Sequence, residues 1–205
     1  MYVLSHTGIT LGIAWAGARF LGWEKGALSH ASASGYASID YRLVLVGALL
    51  PDLIDKPLGM WALADLLSNG RVFAHTLLFN LVLVVIGVML LLWKGKTGWL
   101  TLGLSSGGHL VLDQMWQSPV TLLWPVYGYV FPRHDLGGYP WKFAESLVTS
   151  PQVYLWEVLG AVILLLFTVH LVRQGALWSF LREGKVEKSR LLPQRMRADP
   201  DRGVE

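Results

Sequence analysis

Residues Ser105 to Trp116 read SSGGHLVLDQMW, and His109 and Asp113 stand four positions apart in this otherwise apolar run. On a helix that spacing puts an imidazole and a carboxylate on one face. Holding a charged group in a membrane segment costs about 2.5–3.5 kcal/mol even on the insertion scale, so such residues point to something they bind. Residues of the same two kinds recur in apolar surroundings: His6 in the first segment, Asp52 and Asp55 in GALLPDLIDKP, and His75 in NGRVFAHTLLF. Three histidines and three aspartates, in a chain with no cysteine, form a nitrogen and oxygen donor set suited to zinc or manganese. Arg71, four residues before His75, is placed to hold a phosphate or carboxylate through a bidentate contact.

Each of these residues has an ordinary explanation when taken alone. A single histidine in an apolar helix is commonly a hydrogen-bonded packing residue. Asp52 reads equally as a cap beside Pro51, Asp55 as a partner of Lys56, and Asp113 as a partner of an arginine. Arg71 reads equally as an interfacial arginine whose head reaches water. The joint occurrence favours a metal site, with Glu157 as a supporting acceptor for a ligand histidine. His30, His170, Asp65 and the His134-Asp135 pair have solvated, packing or turn readings and are set apart from the cluster.

The elements that must position these residues follow from composition. Of 205 residues, 53% are hydrophobic and 15% charged, and mean hydropathy is +0.45. Soluble domains carry about 25% charged residues, so this is the composition of an integral membrane protein. The 22 glycines and 10 tryptophans fit close helix approach and interfacial anchoring. The net charge of +3 comes from a basic C-terminal stretch, which argues for a membrane topology signal and against nucleic acid as a partner.

Five apolar helical segments are expected: about 3–23, 42–54, 73–93, 98–115 and 151–172. The second is short for a span of about 20 residues and is expected to continue through LGMWALADLL as a broken or re-entrant helix. No Lys or Arg precedes the first segment, which is therefore read as a retained helix and not a cleaved signal. Residues 26–40 read as a small-residue loop, and 116–150 as an aromatic, Pro/Gly-rich interfacial lid. The expected division is a helical membrane domain over 1–172 and a basic, partly disordered cytoplasmic tail over 173–205. Thirteen Lys and Arg fall on one side of this arrangement and four on the other, accounting for all 17. That asymmetry predicts the N-terminus outside and the C-terminus inside. Alternating direction then brings His6, Asp52, Asp55, His75, His109 and Asp113 to one outer level.

GALLPDLIDKP, NGRVFAHTLL and GGHLVLDQMW, followed by LLWP, resemble the YdjM-type family of membrane-bound metal-dependent hydrolases over about residues 1–132. Members commonly carry Pro-Asp-x-Asp, whereas this chain has one more residue between Asp52 and Asp55. The ligand order is also similar to the helical zinc-dependent phospholipase C and P1 nuclease group. That resemblance implies Asp52 or Asp55, His75, His109 and Asp113 around one ion, with His6 sharing Asp113 with a second. It implies an inner-membrane enzyme acting on an ester or phosphodiester of a membrane lipid, with Asp55, Asp113 and Arg71 as catalytic residues: Asp55, or whichever carboxylate of the Asp52/Asp55 pair is not coordinated, takes the proton, and Arg71 holds the phosphate. Gly103–Gly107 (GLSSG) spells Gly-x-Ser-x-Gly, but inside an apolar helical run and not at a strand-to-helix turn, and no His-Glu-x-x-His pair occurs, which argues against a serine hydrolase or a zincin. An ion or proton transporter using the same cluster, and a metal-stabilised scaffold without chemistry, are the alternatives.

Overall fold

The computed structural model describes residues 3–20, 39–135 and 137–186, and every regular element among them is helical. In chain order these are α1 (Val3–Phe20), α2 (Tyr41–Pro57), α3 (Ala64–Leu67), α4 (Leu77–Lys94), α5 (Gly98–Leu112), α6 (Pro119–Leu122), α7 (Tyr139–Thr149), α8 (Pro151–Arg173) and α9 (Leu177–Glu183). Most of the small-residue loop, with His30, lies outside the described residues, as do residues 187–205.

Local chemistry sets the ends of the helices that matter for the site. Asp40 caps α2 by accepting from Arg42 N at 3.0 Å. Burial pushes the Asp40 carboxyl up, but its bonds to Arg42 outweigh this and hold it below the usual carboxylate range. After Pro57, α2 passes into a π-helical turn over Leu58–Ala62 and then α3, so the expected break is present. Thr76 caps α4 by accepting from Phe79 N at 3.0 Å, which leaves His75 in the turn ahead of the helix and not within it. Likewise α5 ends at Leu112, and Asp113 is its C-terminal cap.

Two helices, α4 and α8, are long and apolar enough to cross a membrane. The five apolar spans expected from the sequence therefore resolve into two that meet that requirement and three that do not. The 17-residue α2 carries Arg42, Asp52, Asp55 and Lys56. The 15-residue α5 reaches only about 22 Å at the α-helical rise of about 1.5 Å per residue. In α1, Ser5, His6, Thr7 and Thr10 interrupt the apolar run. Leu81, Val85 and Leu92 of α4 and Leu155, Leu165 and Leu166 of α8 are exposed. Apolar rows of this kind belong against lipid.

Glycines bring the bundle together. A Cβ added at Gly8 of α1 would collide with the backbone of Gly160 in α8, and one at Gly160 would collide with Leu4 and Ser5. Gly47 of α2 meets α5 in the same way, where a Cβ would lie 2.7 Å from Ser105 Cβ and 2.8 Å from Leu102 O. Close backbone approach of this type is the packing mode available where surrounding lipid removes the hydrophobic drive. At one end of the bundle Leu11, Tyr41, Val44, Phe167, Leu171, Ala176 and Val186 form an apolar cluster. The stretch expected as a tail from Arg173 thus opens with a packed helix, α9. Arg42 Nη1 ties it down by donating to Leu181 O and Arg182 O at 3.1 and 2.8 Å.

Gly160→Val is expected to force α1 and α8 apart and lower stability by about 1–3 kcal/mol. A thermal unfolding midpoint in detergent equal to that of the unsubstituted chain would contradict this packing.

Candidate metal centre

The expected polar residues converge where α1, α2 and α5 meet the loop before α4. His6, Asp55, His75 and His109 are almost completely buried. The centre of the group is a pair of imidazoles, with His75 Nε2 and His109 Nε2 3.3 Å apart. Asp52 Oδ1 lies 3.6 Å from His75 Nε2 and 3.9 Å from His109 Nε2. Asp113 Oδ2 lies 3.9 and 4.0 Å from the same two nitrogens.

Both rings are held from behind. His109 Nδ1 lies 2.7 Å from Ala48 O, a carbonyl that can only accept, so Nδ1 carries the proton. Ala48 is the residue after Gly47, which Pro51 leaves without its helical donor. His75 Nδ1 lies 2.7 Å from Asp55 Oδ2. Asp55 also accepts from Val72 N at 2.7 Å, Ala74 N at 2.9 Å and His75 N at 3.0 Å. With its oxygens accepting throughout, Asp55 also accepts the Nδ1–H of His75. With each Nδ1–H donated backward, the two Nε2 atoms are left facing each other across 3.3 Å. That geometry suits a cation between them: a proton on one ring, or a metal ion shared by both.

The donor set fits a metal. Ligands about 2.0–2.1 Å from a tetrahedral ion lie about 3.3–3.4 Å apart. The imidazole pair meets that spacing, and Asp52 Oδ1 and Asp113 Oδ2, at 3.6–4.0 Å from the two nitrogens, stand less than about 1 Å beyond it. Asp52, His75 and His109 thus form one group able to hold an ion, and His6, His109 and Asp113 form another. Both depend on His109, whose Nδ1 is committed to Ala48 O. The single remaining nitrogen serves one ion, so a second ion held through His6 and Asp113 would compete for it. His6 Nε2 is instead 3.1 Å from Asp113 Oδ1.

Asp55 needs a correction. Sequence order makes it a candidate ligand and a candidate base, but its oxygens are engaged by the loop and by His75 Nδ1. It lies behind His75 and fixes that ring, as carboxylates behind metal-bound histidines do. Nor does Lys56 pair with Asp55; its Nζ is 2.7 Å from Asp52 Oδ2, one helical turn back. Arg71 Nη2 is 2.7 Å from Asp113 Oδ2, with the arginine side chain 44% exposed and the aspartate 3%.

Glu157 reaches the first turn of α1, the helix that carries His6. Its carboxylate accepts from Leu4 N at 3.1 Å and Ser5 N at 3.0 Å, capping the first turn of α1 and setting the height of His6. His170 packs against Trp15, with ring centroids 5.0 Å apart. His134 and Asp135 are exposed; His134 N donates to Ser68 O at 2.8 Å. Sequence reasoning passed over Asn69, which is 3% exposed. Its Oδ1 accepts from Arg71 N at 2.8 Å, and its Nδ2 donates to Pro132 O at 2.7 Å. The aromatic stretch after α6 is seated on the same loop. Phe73 meets Trp124 and Phe131 at centroid distances of 5.5 and 5.0 Å.

Comparison with curated proteins and with solved structures gives no match. A family model described as YdjM inner membrane protein matches residues 1–179, a stretch that contains every residue of the cluster. This chain belongs to the YdjM inner membrane protein family.

Proposed function

We propose that this chain is a membrane-bound, metal-dependent hydrolase that cleaves an ester or phosphodiester of a lipid-like substrate with activated water. The observation that carries the reading is the pair of facing Nε2 atoms of His75 and His109, with Asp52 Oδ1 beside them. Three protein ligands and one further position is the pattern of catalytic zinc sites, whereas structural sites are closed. Zinc suits the two imidazoles and a carboxylate, and manganese is the second choice. A divalent ion held there lowers the pKa of water from 15.7 to about 7 and so supplies a nucleophile at neutral pH.

The residues divide the remaining tasks. Asp52, His75 and His109 hold the ion, and Asp55 keeps His75 Nε2 free to do so. Asp113 Oδ2, 3.9 and 4.0 Å from the two imidazole nitrogens, would take a proton from an incoming water. His6 and Arg71, at 3.1 and 2.7 Å, orient the two oxygens of Asp113. Arg71 is also the most exposed member of the group and meets the substrate first. The skewed Lys and Arg distribution supports placing the site on the outer face of the inner membrane, with the C-terminus in the cytoplasm. The aromatic stretch over 124–131 supports entry of a substrate from the lipid phase, since Tyr127, Tyr129 and Val130 are exposed beside the site loop.

Chain purified in maltoside and exposed to zinc is expected to retain the metal by mass spectrometry, and His75→Ala and His109→Ala to lose it. Undiminished zinc in His109→Ala would sink the assignment. Asp55→Asn is expected to weaken zinc affinity about 10–100-fold. Asp113→Asn is expected to keep its zinc while hydrolysis of a phosphodiester or ester panel falls by about 10²–10⁴-fold. Unchanged turnover in that variant would mean the proton goes elsewhere.

A further inference from the structure

Two basic residues at the mouth of the centre narrow the hydrolase reading, on which this inference rests. We propose that Lys56 and Arg71 together form a two-cation rim that recognises phosphate, so that the bond cleaved belongs to a phosphate ester and not to a carboxylic ester. Each base backs one acid of the site, Lys56 Nζ at 2.7 Å from Asp52 Oδ2 and Arg71 Nη2 at 2.7 Å from Asp113 Oδ2. The bases are also neighbours. A Cβ added at Gly70, the residue before Arg71, would lie 3.5 Å from Lys56 Cγ, so the lysine stem runs alongside the arginine's own loop. Asn69 pins that loop through Arg71 N and Pro132 O.

Exposure separates the acids from the bases. The side chains of Lys56 and Arg71 are 35% and 44% exposed, while Asp52 and Asp113 are 14% and 3%. The acids face inward, and the bases span the boundary between the site and the outside. An ammonium has three donors and a guanidinium five. The inward ion pair engages Nζ of the one through one of its N–H groups and Nη2 of the other, which leaves donors on both for an arriving anion.

Charge points the same way. Counted with neutral histidines, the three acids Asp52, Asp55 and Asp113 exceed the two bases Lys56 and Arg71 by one negative charge. A divalent ion turns that into one positive charge, the complement of a phosphodiester monoanion. A neutral carboxylic ester gains nothing from the surplus. Without Lys56 the occupied network is neutral, and that attraction disappears.

The test uses the zinc-loaded full chain in maltoside micelles, free of phospholipid, titrated by calorimetry with inorganic phosphate and separately with dihexanoyl phosphatidic acid. Lys56→Gln and Arg71→Gln are each expected to weaken binding about tenfold or more, as loss of a charge-assisted hydrogen bond does. Zinc content is expected to stay at the unsubstituted level, and Lys56→Arg to preserve most of the affinity. Equal losses for both ligands assign recognition to the phosphate group itself, and a larger loss for the lipid assigns it to a lipid headgroup. Unchanged affinity in both glutamine variants, with zinc retained, overturns the rim. So does loss of zinc from Lys56→Gln that Lys56→Arg restores, because Lys56 would then only position Asp52. An unsubstituted chain that holds no zinc refutes the hydrolase reading, and the rim is then judged on the phosphate titration by itself.

Discussion

Two imidazole nitrogens, held 3.3 Å apart in a buried interior, are the constraint around which this molecule is arranged. Lone pairs at that distance repel, and the low dielectric of a helix bundle strengthens the repulsion. The arrangement persists only because each ring is fixed from behind by an acceptor it cannot turn away from. One is a backbone carbonyl of α2, and the other is a carboxylate about two turns farther along the same helix. A cation between the rings converts the repulsion into a bond to each, which is why the geometry reads as a metal centre.

Asp55 shows how a fully buried charge can be tolerated. Isolated in the interior it would cost far more than a domain's net stability. It instead collects three backbone N–H groups of the loop before α4 and the ring N–H of His75. One side chain therefore shapes the loop, sets a tautomer and satisfies its own charge. The loop in turn carries Arg71 to the mouth of the site and gives Phe73 to the aromatic stretch after α6. The local fold and the chemistry of the centre have a common origin in that carboxylate.

The membrane setting explains the packing. Helices that gain little from hiding apolar surface must gain from close contact, and Gly8, Gly47 and Gly160 supply it along α1, α2, α5 and α8. The outer rows of α4 and α8 then remain apolar and exposed, as lipid requires. Glu157 joins the two demands. It sits in α8, the longest helix, and satisfies the first turn of α1, so the helix that faces lipid also fixes the one that bears His6.

The sequence by itself determined the donor chemistry, the all-helical membrane character, the break after α2 and the start of α8 at Pro151. Those properties are local: they follow from residue types, from apolar periodicity and from where proline can stand. It also named the residues that converge, because His and Asp in apolar segments are few. What only the tertiary structure decided is which partner each one meets. Asp52 and Asp55 lie three residues apart on one helix, yet one faces the imidazole pair and the other faces away to the loop. Lys56 takes Asp52 and not its chain neighbour. Glu157 caps a helix 152 residues away. Spacing fixes an angle around one helix axis, but the group waiting at that angle belongs to another element, and only the packing of the two brings it there.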